Sequence, residues 1–95
     1  MITIDQKLID FARATALQLC ERIKITDPND RDDVISEAYL ALCESAKSYK
    51  EEPEAKPTTY LTKCIRNAII DWCRREDRYR RKIALIDAVE MASAF

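Results

Sequence analysis

The sequence predicts an all-α protein built as a three-helix bundle, and two observations carry this prediction. None of the 95 residues is glycine, and a chain without glycine cannot readily form the tight hairpins of a β-sheet, which need positive φ. Apolar residues instead recur at intervals of three and four along three long stretches, as on one face of a helix. The hydrophobic fraction of 47% is that of a single globular domain rather than of a disordered segment.

The first predicted helix covers residues 4–24. Thr3 followed by Gln6 is a capping-box pattern that marks its start. Helical spacing predicts a buried face made of Leu8, Phe11, Ala12, Thr15, Leu19 and Ile23. The turn that follows contains two aspartates, and either Asp27 or Asp30 can cap the second helix.

The second predicted helix covers about residues 31–49. Its apolar stripe comprises Ile35, Ala38, Tyr39, Leu42, Ala46 and Tyr49. Away from that stripe lie Asp33, Glu37, Leu40 and Glu44. Asp33, Ser36 and Glu37 share one side of the helix, because spacings of three and four bring side chains together. From spacing alone, this side is either a solvated acidic surface or a binding surface.

The third predicted helix begins near Thr58, after a polar loop with two prolines, and can continue through Arg78 and Arg81. Its buried stripe comprises Leu61, Ile65, Ala68, Ile69 and Trp72. Residues 83–95 are again apolar at helical spacing. We therefore divide the chain into a helical domain over residues 1–82 and an apolar C-terminal helix or tail over residues 83–95. That segment either completes the core or forms a docking surface.

Positive charge is concentrated in one part of the chain, although the net charge is only −1. Residues 1–62 carry 8 basic and 12 acidic side chains, whereas residues 63–82 carry 8 basic and 3 acidic ones. The basic residues of the second stretch are Lys63, Arg66, Arg74, Arg75, Arg78, Arg80, Arg81 and Lys82. A helix end needs only a few cations to complement its dipole, so this excess favours contact with nucleic acid.

Residues typical of catalytic and metal sites are missing from this sequence. It has no histidine and no glycine-rich phosphate loop, so we expect neither an enzyme nor a cofactor. Four cysteines fit no metal-binding spacing, and we expect them to be small core residues in a reducing cytosol: Cys20, Cys43, Cys64 and Cys73. There is no signal-peptide pattern and no apolar run of membrane-spanning length, so we expect a cytoplasmic protein without membrane contact.

Two segments, in this order, resemble region 2 of bacterial RNA polymerase sigma factors. Residues 33–42 read D-V-I-S-E-A-Y-L-A-L, and residues 58–75 read T-T-Y-L-T-K-C-I-R-N-A-I-I-D-W-C-R-R. The family reads D-L-V-Q-E-x-x-L-x-L in the first segment and F-S-T-Y-x-x-x-x-I-R-x-A-I-x-D-x-x-R-R in the second. The resemblance covers roughly residues 8–82. Within the family, these segments are most similar to those of the small extracytoplasmic-function group.

The resemblance implies two partners, the RNA polymerase core and promoter DNA. Asp33 and Glu37 match the side of the helix that docks on the clamp helices of the largest polymerase subunit, and Ser36 stands where the family usually has glutamine. The following helix handles the −10 promoter element, mainly as a single strand. Together with the basic stretch, this implies a DNA-binding set of Thr59, Tyr60, Lys63, Arg66, Asn67, Arg74, Arg75 and Arg78.

Three departures from the family pattern qualify these expectations. Lys63 and Cys64 stand where primary-type sigma factors have two tryptophans for strand opening, and Pro57 stands where they have phenylalanine. Aromatic stacking is worth about 1–3 kcal/mol per base, so we expect weak intrinsic melting, with Tyr60 as the best stacking residue. The residues after position 82 are too few for the family's −35-binding domain, which leaves that role to a separate protein.

The sequence therefore predicts a sigma-like transcription factor that binds the polymerase clamp and contacts −10-type promoter DNA, in the manner of half of a split sigma factor. Two alternatives remain open. One is a polymerase-binding regulator that uses the same acidic side but reads no promoter. The other is a protein-interaction bundle with a solvated basic stripe, which would bind no polymerase.

Overall fold

The computed structural model of the chain describes residues 3–49 and 57–94. These residues form four α-helices and no strand, which confirms the predicted all-α class. The helices are α1 (Gln6–Ile23), α2 (Pro28–Ser48), α3 (Pro57–Arg75) and α4 (Asp77–Ala94). α3 packs against each of the other three helices, so the α3 residues hold a central place in the bundle. No helix in the described part of the chain combines the length and apolar character needed to cross a bilayer.

Helix α1 starts later than the capping-box pattern predicted. Its cap is Asp5, whose Oδ1 accepts a hydrogen bond from the backbone N–H of Leu8 at 2.9 Å, so the assignment of Thr3 as the cap was wrong. A carboxylate nearer the first turn satisfies an otherwise unpaired backbone N–H directly. The helix ends where Lys24 adopts positive φ (69°), and the N–H of Ile25 then returns to the Cys20 carbonyl at 2.8 Å.

Of the two candidate caps for α2, the structure uses Asp27. Its Oδ1 accepts from the backbone N–H of Asn29 at 2.8 Å, and Pro28 occupies the first turn, where its missing N–H costs nothing. The helix therefore begins three residues before the predicted start at Arg31. Asp30, the other candidate, is buried and makes a different set of contacts, described below.

The third helix does not continue through Arg78 and Arg81, as the sequence predicted. α3 ends at Arg75, the chain bends at Glu76, and α4 starts at Asp77. The rings of Trp72 and Tyr79 stack with centroids 5.6 Å apart. Residues seven apart in a straight helix are separated by about 10.5 Å along its axis, so this stacking requires the bend.

The core lies where α1, α2, α3 and the start of α4 meet. The predicted α3 stripe is confirmed, with Leu61, Ile65, Ile69 and Trp72 buried and Ala68 half-buried. On α2 the buried side is rotated slightly about the helix axis from the predicted stripe. Val34 and Ala41 are buried, whereas Ile35 and Tyr39 are only half-buried.

The cysteines divide between core and surface. Cys20 and Cys73 are buried and belong to the core, as predicted, but Cys43 is exposed and Cys64 is half-buried. Burial raises the pKa of the Cys73 thiol to about 11, and burial likewise raises the pKa of Cys20. Both thiols therefore stay protonated at neutral pH and behave as small apolar groups.

The first part of the predicted C-terminal segment belongs to the core. Ile83 is buried and Ile86 packs against the same cluster, whereas Leu85 points to solvent with 63% of its surface exposed. Helix α4 runs without interruption across the expected division between residues 82 and 83. The division into two domains stays a prediction.

Candidate functional site

A groove between α1 and α3 collects half of the predicted DNA-binding residues. It encloses about 600 Å³ and we call it the α1–α3 groove. Its lining comprises Phe11, Thr58, Thr59, Thr62, Lys63, Arg66, Asn67 and Ile70. Thr59, Lys63, Arg66 and Asn67 meet here because Lys63 is four residues after Thr59, three before Arg66 and four before Asn67, and such spacings share one side of α3. The groove offers hydroxyl, amide and cationic groups above an apolar floor.

Helix α1 supplies the other wall of this groove, which the sequence reasoning missed. Phe11 lines the groove and also an adjoining cavity of about 260 Å³ that extends along α1 to Gln18 and Arg22. Thr62 and Arg66 line both spaces. The sequence placed Phe11 on a buried face, and its half-burial agrees with that in part. No pattern in the sequence indicates that the side of α1 facing α3 leaves a groove instead of packing closely.

Tyr60 does not line the groove with its neighbours. Its hydroxyl lies 3.2 Å from Ser48 Oγ, and its ring lies 5.5 Å from that of Tyr49, tilted by 49°. These contacts direct the side chain to the C-terminal end of α2. Tyr60 as a base-stacking residue stays a prediction, and in this arrangement Phe11 is the aromatic ring that the groove contains.

The arginines at the end of α3 lie close to carboxylates rather than in isolation. An Arg74 guanidinium nitrogen is 3.8 Å from Asp71 Oδ1, within the same helix. Arg75 reaches across to α2, with 3.6 Å between its guanidinium and Glu37 Oε1. The predicted DNA-binding end of α3 therefore adjoins the predicted polymerase-binding side of α2.

Arg78 belongs to a cluster that ties α4 to α2, which we call the Asp30 cluster (Asp30, Arg78 and Tyr79). Asp30 and Tyr79 are buried, whereas the Arg78 side chain is 59% exposed. The Arg78 guanidinium lies 2.7 Å from Asp30 Oδ1, and the Tyr79 hydroxyl donates to Asp30 Oδ2. Burial, and next the hydrogen bond to Asp30, raise the pKa of Tyr79 to about 12. Asp30 also raises the pKa of Arg78. The contact gives Arg78 a structural role, and its contact with DNA stays a prediction.

The predicted polymerase-binding residues lie on one outer side of α2. Asp33 and Ser36 are exposed, and Glu37 is half-buried beside Arg75. Leu40, one turn beyond Glu37, exposes 58% of its surface. We call these four residues the acidic face. Leu40 adds one apolar side chain to this otherwise polar side of the helix.

Comparison with protein families adds the finding that decides the family. The family model for sigma-70 region 2 matches residues 6–79, from the start of α1 into the first turn of α4. The chain belongs to the sigma-70 region 2 family. Comparisons with curated proteins and with solved structures found no significant match.

A sigma-70 region 2 domain is a transcription-factor domain, and membership implies RNA polymerase binding and recognition of the −10 promoter element. The match confirms the resemblance that the two sequence segments carried. The likeness to the extracytoplasmic-function group stays a prediction. Within this region 2 domain, the α1–α3 groove collects four of the eight expected DNA-binding residues, and the acidic face contains the three expected polymerase-binding residues.

Proposed function

We propose that this region 2 domain docks on the clamp helices of the largest RNA polymerase subunit through the acidic face and contacts the single-stranded −10 element through the α1–α3 groove. The α1–α3 groove carries the proposal, since Thr59, Lys63, Arg66 and Asn67 line one wall of it. Its volume falls in the range of about 300–1,000 Å³ that is typical of ligand pockets.

The groove suits an unstacked nucleotide of a single strand. Lys63 and Arg66 place positive charge where a phosphate would lie, and the Asn67 amide can pair with a base edge. Phe11 and Ile70 offer an apolar surface for a base. Among the described lining residues only Phe11 is aromatic, so electrostatic attraction supplies most of the affinity and binding by the domain alone is weak.

The acidic face suits a basic partner surface. Asp33 and Glu37 carry the charge, and Leu40 supplies an apolar contact between polar neighbours. A carboxylate side with an exposed leucine fits a helical partner that presents cations around an apolar position.

Polymerase binding is tested by reversing charge on the acidic face. We expect Asp33→Arg and Glu37→Lys each to abolish binding to core polymerase without changing helicity, because charge reversal at a complementary interface costs several kcal/mol. Glu21→Lys makes a matched reversal at an exposed position of α1 and should bind normally. Binding at the wild-type level by both face variants would disprove this assignment.

DNA binding is tested by titrating salt against a fluorescent −10 strand, with and without polymerase. If about four phosphates are neutralised, log K should fall with log salt at a slope near −3, from roughly −0.7 per phosphate. Arg74→Ala and Arg75→Ala should each flatten the slope by about 0.7 and weaken all sequences alike. Arg13→Ala, which removes an exposed cation on a different side of α1 from Phe11, should leave the slope unchanged.

Sequence preference separates a promoter reader from a regulator that only binds polymerase. Asn67→Ala should relax the base preference of the polymerase complex, since an amide can pair with a base edge. A complex that prefers no promoter strand over a scrambled one would favour the regulator. The proposal also assigns the −35 contact to a separate protein, so transcription from a −35-dependent promoter should require an added factor.

A further inference from the structure

One contact joins the two proposed binding surfaces of this domain. The Arg75 guanidinium lies 3.6 Å from Glu37 Oε1, across the boundary between α3 and α2. Glu37 belongs to the acidic face, and Arg75 belongs to the basic end of α3. The Glu37 side chain is 30% exposed and that of Arg75 is 67% exposed, so both remain within reach of a partner.

We propose that the Glu37–Arg75 ion pair couples the two surfaces, so that polymerase docking on Glu37 releases Arg75 for the DNA backbone. This inference rests on the proposed function, because it needs polymerase at one end of the pair and DNA at the other. It assigns Arg75 a second role. In the free domain, the Arg75 guanidinium is the ion-pair partner that holds the Glu37 carboxylate.

Competition for the same groups produces the coupling. A polymerase cation that approaches the Glu37 carboxylate takes over the attraction that held Arg75, and a phosphate that approaches Arg75 likewise frees Glu37. An exposed pair at 3.6 Å is weak enough to exchange partners, since such pairs contribute little to stability. Linkage makes the effect reciprocal, so each partner strengthens binding of the other by the same factor.

The first test measures the free domain with a fluorescent single strand at low salt, without polymerase. We expect Glu37→Gln to tighten DNA binding about two- to threefold, in keeping with the strength of an exposed pair. In an Arg75→Gln background the same substitution should add nothing. Glu44→Gln, on α2 but two turns further along, removes an equal charge and measures the long-range effect of charge alone.

The second test is the reciprocal one, on core polymerase without DNA. Arg75→Gln should tighten polymerase binding by the same two- to threefold, because it frees Glu37 from its internal partner. Arg80→Gln is the matched control, since it removes an exposed cation of α4 whose guanidinium lies 2.7 Å from Asp77 on its own helix. Circular dichroism should show all variants folded.

Two outcomes would overturn the coupling. One is an equal gain from Glu37→Gln and Glu44→Gln, and the other is a gain from Glu37→Gln that persists when Arg75 is absent. With wild-type polymerase and promoter binding intact, either result rejects the coupling alone. Two other results would instead reject the proposed function, and the coupling with it. One is a wild-type polymerase complex that shows no promoter-strand preference, and the other is normal polymerase binding by Asp33→Arg and Glu37→Lys.

Discussion

Two ion pairs connect α2 to the region where α3 meets α4, and they are built differently. In the Asp30 cluster, a buried carboxylate lies 2.7 Å from Arg78 and also accepts a hydrogen bond from Tyr79. Two turns further along α2, Glu37 lies 3.6 Å from Arg75, and both side chains are partly exposed. Both arginines are largely exposed, at 59% for Arg78 and 67% for Arg75, so the two pairs differ in the carboxylate: Asp30 is 7% exposed and Glu37 is 30% exposed.

Burial decides what each pair can do. A carboxylate removed from water must keep its partners, because losing them costs the full desolvation of a charged group. The Asp30 cluster therefore fixes the start of α4 against α2. Glu37 and Arg75 can each be solvated, so their pair can open when a better partner arrives. The pair with the buried carboxylate is structural, and the Glu37–Arg75 pair is the one suited to exchange with polymerase and DNA.

The largest effect we predict comes from breaking the Asp30 cluster. Asp30→Ala should destabilise the domain by about 1–3 kcal/mol, because the buried Tyr79 hydroxyl loses its acceptor. Urea unfolding followed by fluorescence measures this, since Trp72 stacks on Tyr79 and reports the α3–α4 junction. Asp33→Ala, at an exposed position, is the control. A loss below about 0.5 kcal/mol would show that the cluster contributes no more than a surface pair.

Alkaline pH should weaken the same cluster. Folding raises the pKa of Tyr79 from 10.0 to about 12 and that of Cys73 from 9.0 to about 11. A raised pKa contributes stability that is complete below the unfolded value and is lost as pH climbs through the folded value. The free energy of unfolding should therefore fall from pH 9 upwards, with the Tyr79 contribution lost between pH 10 and 12.

Tyr79→Phe separates the two contributions to this alkaline loss. The variant should be less stable at neutral pH by about 1 kcal/mol, the net worth of one hydrogen bond. It should also lose less stability than the wild type between pH 10 and 12, because phenylalanine does not ionise. Urea unfolding at several pH values provides the comparison. Parallel curves for the two proteins would show that Tyr79 does not titrate with folding.

The difference between the two pairs also explains what the sequence could and could not predict. Local spacing predicted the helices and the buried side of α3, because each depends on residues three or four apart. From the sequence, Asp30 was only one of two possible caps for α2. Its buried role could not be predicted, because it depends on Tyr79, 49 residues away. The bend at Glu76 was missed for the same reason.

The sequence predicted only part of the candidate site, because the rest of the site depends on how the helices pack against each other. Matching motifs located the α3 residues of the groove, but the wall from Phe11 depends on how α1 packs against α3, which no single-helix pattern contains. Likewise, the sequence treated Glu37 and Arg75 as members of separate surfaces. Their contact follows from the packing of α2 on α3.

The smallest effect we predict is the stability change from breaking the exposed pair. Glu37→Gln should lower the free energy of unfolding by only about 0.2–0.5 kcal/mol, as for other exposed pairs, and the difference should vanish near 1 M salt, where charges are screened over about 3 Å. Urea is the suitable denaturant, because guanidinium is itself a salt and would screen the pair. A loss above 1 kcal/mol that survives high salt would make Glu37–Arg75 a structural contact like the Asp30 cluster. In that case polymerase could not displace Arg75 without destabilising the fold, and the pair could not act as an exchangeable link between the two surfaces.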